Sequence, residues 1–261
     1  MDGNIIDITI YWPSNHHDAI WEKNKTVIKK RVTLVALSFL FAHDPDNKKI
    51  VIDDFIRIGF VSNAEIAQNG LGSFYRLKRV TNNTFRDLKM YAHFFDSRSE
   101  LKMRVKSSNK YDFNSNLYHF TTYSYHKSGN NLRYHFNQGV GFLLKNTKKG
   151  NFTSEVGWAY DKSDFIDSDE KTTYIKSAIS LDQNFEKLKI KLELEYYDQI
   201  SEILVFDLSR FETNLEVQYK LNKYWDAVFS LDREMYTENK NQFRSDPTTI
   251  FISLNRNGLF N

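Results

Sequence analysis

Chemistry in this chain would have to be built from seven histidines and scattered acids, because cysteine is absent. Without cysteine there is no thiol nucleophile, thiolate zinc site or disulfide framework. Ser124 and His135 are the pair a hydrolase would need, an imidazole placed to take a proton from a hydroxyl. Nothing in their spacing, or in that of His93, His119 and His126, forces such a meeting. Glu193 and Glu195 have the separation of two carboxylates on one strand face, but they stand beside Lys189 and Lys191. They read as ion pairs rather than as a glycosidase dyad. Asp161, Asp164, Asp167, Asp169 and Glu170 crowd one segment that could hold a divalent cation. A solvated acidic loop explains them as well. Gly139-Val140-Gly141 opens no helix and makes a poor phosphate cradle. His16-His17 lacks a third ligand at useful spacing. With no G-x-S-x-G, H-E-x-x-H or Walker loop, the residues predict no catalytic site, no cofactor and no metal. The expectation is a protein that is not an enzyme.

The elements that carry these side chains read as strands. Leu188, Ile190, Leu192, Leu194 and Tyr196 alternate with Lys189, Lys191, Glu193 and Glu195. That is a period of two; a helix would spread the charges around its whole circumference. Leu132 to Leu144 repeats the pattern with Arg133 and His135 on the second face. Phe152 to Tyr160, Leu101 to Val105 and Phe211 to Tyr219 repeat it again. About twelve such segments can be marked: 53–61, 70–80, 84–94, 101–113, 117–125, 132–145, 151–161, 171–183, 188–197, 207–220, 224–235 and 248–256. The only prolines are Pro13, Pro45 and Pro247, so the strand region is free of a residue that interrupts ladders.

Many segments reach about ten residues, the length a tilted strand needs to cross a bilayer. Links after even-numbered segments are tight, and links after odd-numbered segments are expected to be longer. That alternation is the layout of outer-membrane barrels. Mean hydropathy is −0.57, and no apolar run is long enough for a membrane helix. Thirty-six basic against 33 acidic residues leave a net charge of +3, too balanced to argue for a nucleic-acid partner. Phe113, Tyr134, Phe152, Tyr160, Tyr196, Phe211 and Tyr219 are candidates for interfacial aromatic girdles.

Residues 1–42 differ. Lys23, Lys25, Lys29, Lys30 and Arg31 precede an apolar run from Val32 to Ala42, in the manner of a secretory signal. The 22 residues upstream are consistent with a start assigned too early. Residues 43–261 then form the barrel domain.

From about Asp53 onward the chain resembles the bacterial outer-membrane proteins of domain-of-unknown-function family 481, often labelled salt-induced outer-membrane protein. The resemblance rests on four stretches: Gly59 to Glu65, Lys110 to Tyr118, Leu132 to Phe142 and Glu155 to Tyr160. Ser62 stands where that family's first loop carries glycine. The resemblance implies a Gram-negative outer-membrane barrel and supplies no catalytic residues.

The reading is therefore all-β: an antiparallel transmembrane up-and-down β-barrel of about twelve strands. Arg133, Lys189, Lys191, Glu193 and Glu195 are expected to face the lumen. Leu188, Ile190, Leu192, Leu194 and Tyr196 are expected to face lipid. The expected partners are outer-membrane lipid and small solutes, with no nucleic acid. The expected role is envelope integrity under osmotic or salt stress, or a narrow pore. A lipid hydrolase of the outer membrane and a soluble lipid-binding barrel are the alternatives.

Overall fold

The computed structural model describes residues 50–147, 149–164, 170–202, 207–237 and 247–257. The signal-like segment and His16-His17 lie outside these residues, as do Asp167 and Asp169 of the acidic segment. The described chain is all strand: β1 (Val51–Asn63), β2 (Gln68–Val80), β3 (Thr84–Phe95), β4 (Ser99–Tyr111), β5 (Asn114–Ser128), β6 (Asn131–Thr147), β7 (Gly150–Ser163), β8 (Glu170–Asn184), β9 (Leu188–Gln199), β10 (Arg210–Lys220), β11 (Trp225–Tyr236) and β12 (Thr248–Asn257). Each strand pairs with its sequence neighbours, and β12 returns antiparallel to β1 to close the barrel. Closure leaves no strand edge with unpaired backbone groups.

The ladders align the apolar residues of successive strands. One row runs through Ile190, Val217, Phe229, Ile252, Phe60, Leu71 and Phe94, each register-paired with the next from β9 round the seam to β3. A second row joins Leu181, Leu192, Leu215, Leu231 and Ile250. Phe60 is 73% exposed, and Leu71, Phe94 and Ile252 are each more than half exposed. A continuous apolar surface of this extent is foreign to a protein that meets only water.

The opposite parity fills the interior. Phe55, Val61, Phe74, Phe95 and Phe251 form a buried apolar cluster inside the seam wall, made by β12, β1, β2 and β3. The sequence pattern points to aromatics at the membrane interfaces. Here they also line the inside, where they take up space that charged side chains would otherwise have to fill.

The expected short–long alternation of links needs correction. At one end the links 81–83, 112–113, 148–149, 185–187 and 221–224 number only two to four residues, as expected. At the other end, residues 64–67, 96–98 and 129–130 are also tight, and only 164–169, 200–209 and 237–247 are long. The cause is that backbone ladders continue where side-chain alternation fades. Glu100 still pairs with Ser128 in register, although both sit among polar neighbours that read as loop. The β5–β6 turn is made possible by Gly129, whose φ of +57° suits a two-residue hairpin.

Gly141 lies opposite Tyr118 in the β5–β6 register, and a Cβ there would overlap the Tyr118 ring. The ring uses that space to donate a hydrogen bond from its hydroxyl to Glu155 Oε1 at 2.9 Å. Gly141→Leu is expected to displace the ring and cost about 1–3 kcal/mol, the usual range for overpacking. The urea midpoint of the detergent-folded barrel, read by gel mobility, checks this. An unchanged midpoint would show that the ring has room to move.

Candidate functional site: a charged septum inside the barrel

Strands that are not neighbours can touch only through the enclosed space, and their charged side chains do so. Arg104 on β4 donates from Nη2 to Glu195 Oε1 on β9 at 3.1 Å, and its Nη1 lies 3.7 Å from Glu193. Lys89 on β3 reaches Glu193 at 3.7 Å. Lys106 on β4 donates to Glu155 on β7. Arg57 on β1 donates to Glu216 on β10 at 2.6 Å, and Lys191 holds the other oxygen of that carboxylate at 3.2 Å. Lys176 is fully buried and donates to Glu195 at 3.0 Å. Together these pairs form a septum across the middle of the lumen.

The septum is backed by rings. The Arg57 guanidinium lies 4.7 Å from the Phe55 ring centre and 4.8 Å from that of Phe74. Lys106 and Lys176 share the buried face of Phe120, at 5.1 and 5.5 Å. Cations desolvated in this way keep favourable electrostatics from the ring quadrupoles as well as from the carboxylates. Tyr197 donates its hydroxyl to Glu195 Oε2 at 2.5 Å and so fixes the carboxylate that Arg104 meets.

A second charged cluster lies nearer the long loops. Asp161 accepts from Arg133 Nη2 at 2.7 Å and lies 3.2 Å from Arg210 Nη2. Arg133 continues to Glu234 on β11 at 3.3 Å, and Arg210 donates to Glu212 at 2.8 Å. The His135 Nδ1 hydrogen bond also goes to Asp161. Its Nε2 accepts from Asn137 at 3.0 Å.

These positions revise the search for chemistry. Asp161 belongs to β7 and takes part in the interior network, so it is not a loop ligand for a cation. Asp164 accepts a hydrogen bond from the Leu132 amide. Ser124 is register-paired with His135 and shares a cavity with it, yet both imidazole nitrogens are already engaged. The ring is buried inside the barrel, so a lipid-facing Ser–His pair is not formed. Glu193 and Glu195 are each held by cations. Among the described residues, no group of three or more His, Cys, Asp or Glu could hold a metal.

Of the five charged residues singled out by parity, Arg133, Lys191, Glu193 and Glu195 enter the two networks. Lys189 pairs with Asp182 at 3.5 Å on the adjacent strand. Leu188, Ile190, Leu192, Leu194 and Tyr196 are partly exposed on the other face of β9. Arg57, Arg104, Lys176, Arg210 and Glu216 are also central to the networks and are not among those five. Arg57 stands alone between Ile56 and Ile58, so no charge alternation marks it, whereas Arg210 stands in phase with Glu212 two residues on. Arg104 and Glu216 did lie in alternating segments, and parity alone would have flagged them.

Two cavities flank the septum, and Lys89, Arg104, Glu193 and Glu195 line both. The one toward the long loops has a volume of about 170 Å³ and is bordered by Arg133, His135 and Glu234. The one toward the tight turns has a volume of about 380 Å³ and reaches Thr81, Asn83 and Thr84 of the β2–β3 turn.

The sequence profile described as "Protein of unknown function, DUF481" matches residues 73–256, more than half of the chain. The chain belongs to this family. Among solved structures, this DUF481 barrel is similar to the NanC porin, with a TM-score of 0.53 and 11% identity over 78% of this chain and 98% of that one. It is also similar to the KdgM porin, with a TM-score of 0.43 and 16% identity over 79% and 98% of the two chains. The translocator domain of the autotransporter NalP from Neisseria meningitidis matches with a TM-score of 0.42 and 11% identity over 91% and 98%. At these identities the likeness is one of fold. No curated protein matches the DUF481 chain in sequence.

Among the described residues Asp161 is the one carboxylate that meets Arg133, Arg210 and His135 together, so Asp161→Asn leaves the two guanidiniums without the anion they share with His135. The expected loss of stability is about 3–5 kcal/mol, the range for breaking a buried pair from one side. Lys102→Gln removes a cation about a third exposed, 3.5 Å from the half-exposed Asp232, and should cost only about 0–1 kcal/mol. Urea unfolding of both variants in detergent measures the contrast; equal losses would deny the cluster its central place.

Proposed function

We propose that this protein is an outer-membrane barrel that admits only ions and small solutes, because a septum of ion pairs crosses its lumen. The cross-lumen contacts of Arg104 with Glu195 and Arg57 with Glu216 carry the reading. A pore for large solutes keeps its charges along the wall, whereas here they meet in the middle. In this reading Arg133, Lys189, Lys191, Glu193 and Glu195 face the lumen. Leu188, Ile190, Leu192, Leu194 and Tyr196 face lipid, with Ile190 and Leu192 in the apolar rows described above. The half-exposed Phe211 and Tyr219, with Tyr134 and the 79% exposed Phe113, supply rings for the membrane interfaces. No enzymatic step is assigned, since Glu193 and Glu195 are held in ion pairs and His135 in hydrogen bonds at both ring nitrogens. The physiological role is tolerance of salt or osmotic stress by the envelope.

Fractionation and a gel of boiled against unboiled protein test the location. The expected result is membrane fraction and a mobility shift on boiling; a soluble protein without the shift overturns the proposal. Planar-bilayer recording tests the septum. Wild-type protein should give small conductance steps, and Glu193→Gln/Glu195→Gln should enlarge them by releasing Lys89 and Arg104 from their bridging anions. Large wild-type steps unaffected by this variant would refute an ion-pair barrier.

A further inference from the structure

The two cavities on either side of the septum differ in charge. The lining toward the long loops has four basic side chains and five carboxylates. The lining toward the tight turns has eight basic side chains and five carboxylates. Arg57 and Lys176 stand behind this second wall with Asp53 and Glu216, and including them leaves its surplus of three cations unchanged. We infer that the turn-side cavity is a binding site for a small polyvalent oxyanion, of the phosphate or carboxylate class, entering from the tight-turn end.

Four of the five carboxylates of this cavity are closely matched. Asp87 accepts from Arg76 through both oxygens, at 2.6 and 3.0 Å. Glu155 is held by Lys106, Glu193 by Lys89 and Arg104, and Glu195 by Arg104 and Lys176. Lys110 has no ion-pair partner among the described residues. Lys78 pairs at 3.0 Å with Asp53, which is itself half exposed. Lys189 pairs with Asp182 only at 3.5 Å, with both side chains about a third exposed. These three amines come from different strands, β2, β4 and β9, and line one space. A polyvalent anion can bridge them as no single carboxylate of the chain does.

The approach is also favourable. Lys149, Lys187, Lys220 and Lys223 lie on or beside the tight turns at this end, against Asp112 and Glu186. Low-dielectric walls concentrate such a field within a narrow mouth. The septum then retards an entering polyvalent anion, since its passage requires displacing Glu193 or Glu195 from their cations. This inference deepens the proposed pore by naming the charge class that enters it and the end from which it enters.

The test is equilibrium dialysis of radiolabelled inorganic pyrophosphate against the full chain folded in dodecyl maltoside, at fixed ionic strength. A non-phosphate detergent keeps lipid headgroups out of the measurement. The expected result is saturable binding of one pyrophosphate per barrel. Lys78→Gln/Lys110→Gln/Lys189→Gln should weaken it by about tenfold or more, while Lys102→Gln on the other side of the septum leaves it unchanged. A gel-mobility check confirms that each variant is folded. Non-saturable uptake, an unaffected triple variant or an equal loss in Lys102→Gln each overturns the inference. The readout needs neither a membrane nor conduction, so its failure is distinct from failure of the pore reading.

Discussion

Arg104 and Glu195 meet from strands five places apart in the barrel, and much else follows from that contact. A ring of twelve strands encloses more space than short side chains can fill. Long cations that reach across it, bridged by carboxylates, hold opposite walls at a set distance without closing the lumen with an apolar core. Each ion is removed from water, so each has to be matched with opposite charge and hydrogen-bond partners. Tyr197 on Glu195, Tyr118 on Glu155 and the rings under Arg57, Lys106 and Lys176 meet that requirement. The septum thus serves as both brace and barrier.

The interior is divided by wall. The strands around the seam, β12 to β3, present phenylalanines inward, while β4 and β7 to β11 supply most of the charge. Arg76, Lys78, Asp87 and Lys89 are charged exceptions on the seam strands, and they line the cavity toward the tight turns. The remaining space falls into two cavities of opposite net charge.

Strand periodicity made the fold readable, because a strand with one oily face and one polar face writes its structure into odd and even positions. Leu188 to Tyr196 mark β9 to within three residues at either end. Ladders extend beyond that signal where both faces are polar, and so the links at residues 96–98 and 129–130 were drawn too long. The site was less legible. Glu193 and Glu195 announce a charged face, but that Arg104 reaches them depends on register accumulated over five successive strand pairs. No spacing in a single sequence records that sum. Aromatic residues divide in the same way, since Phe74 is buried inside the barrel and Phe211 is half exposed.

The cluster of Phe55, Phe74, Phe95 and Phe251 has a consequence for assembly. Every other strand pair joins chain neighbours, whereas β1 and β12 must find each other from opposite ends of the folded region. Closing so long a loop carries the largest entropic cost in the barrel, although that cost grows only logarithmically with length. Here Phe251 of the last strand inserts among rings contributed by the first three. The final hydrogen-bonded ladder is thereby coupled to burial of apolar surface at the same place, so the last strand has a hydrophobic reason to dock against the first.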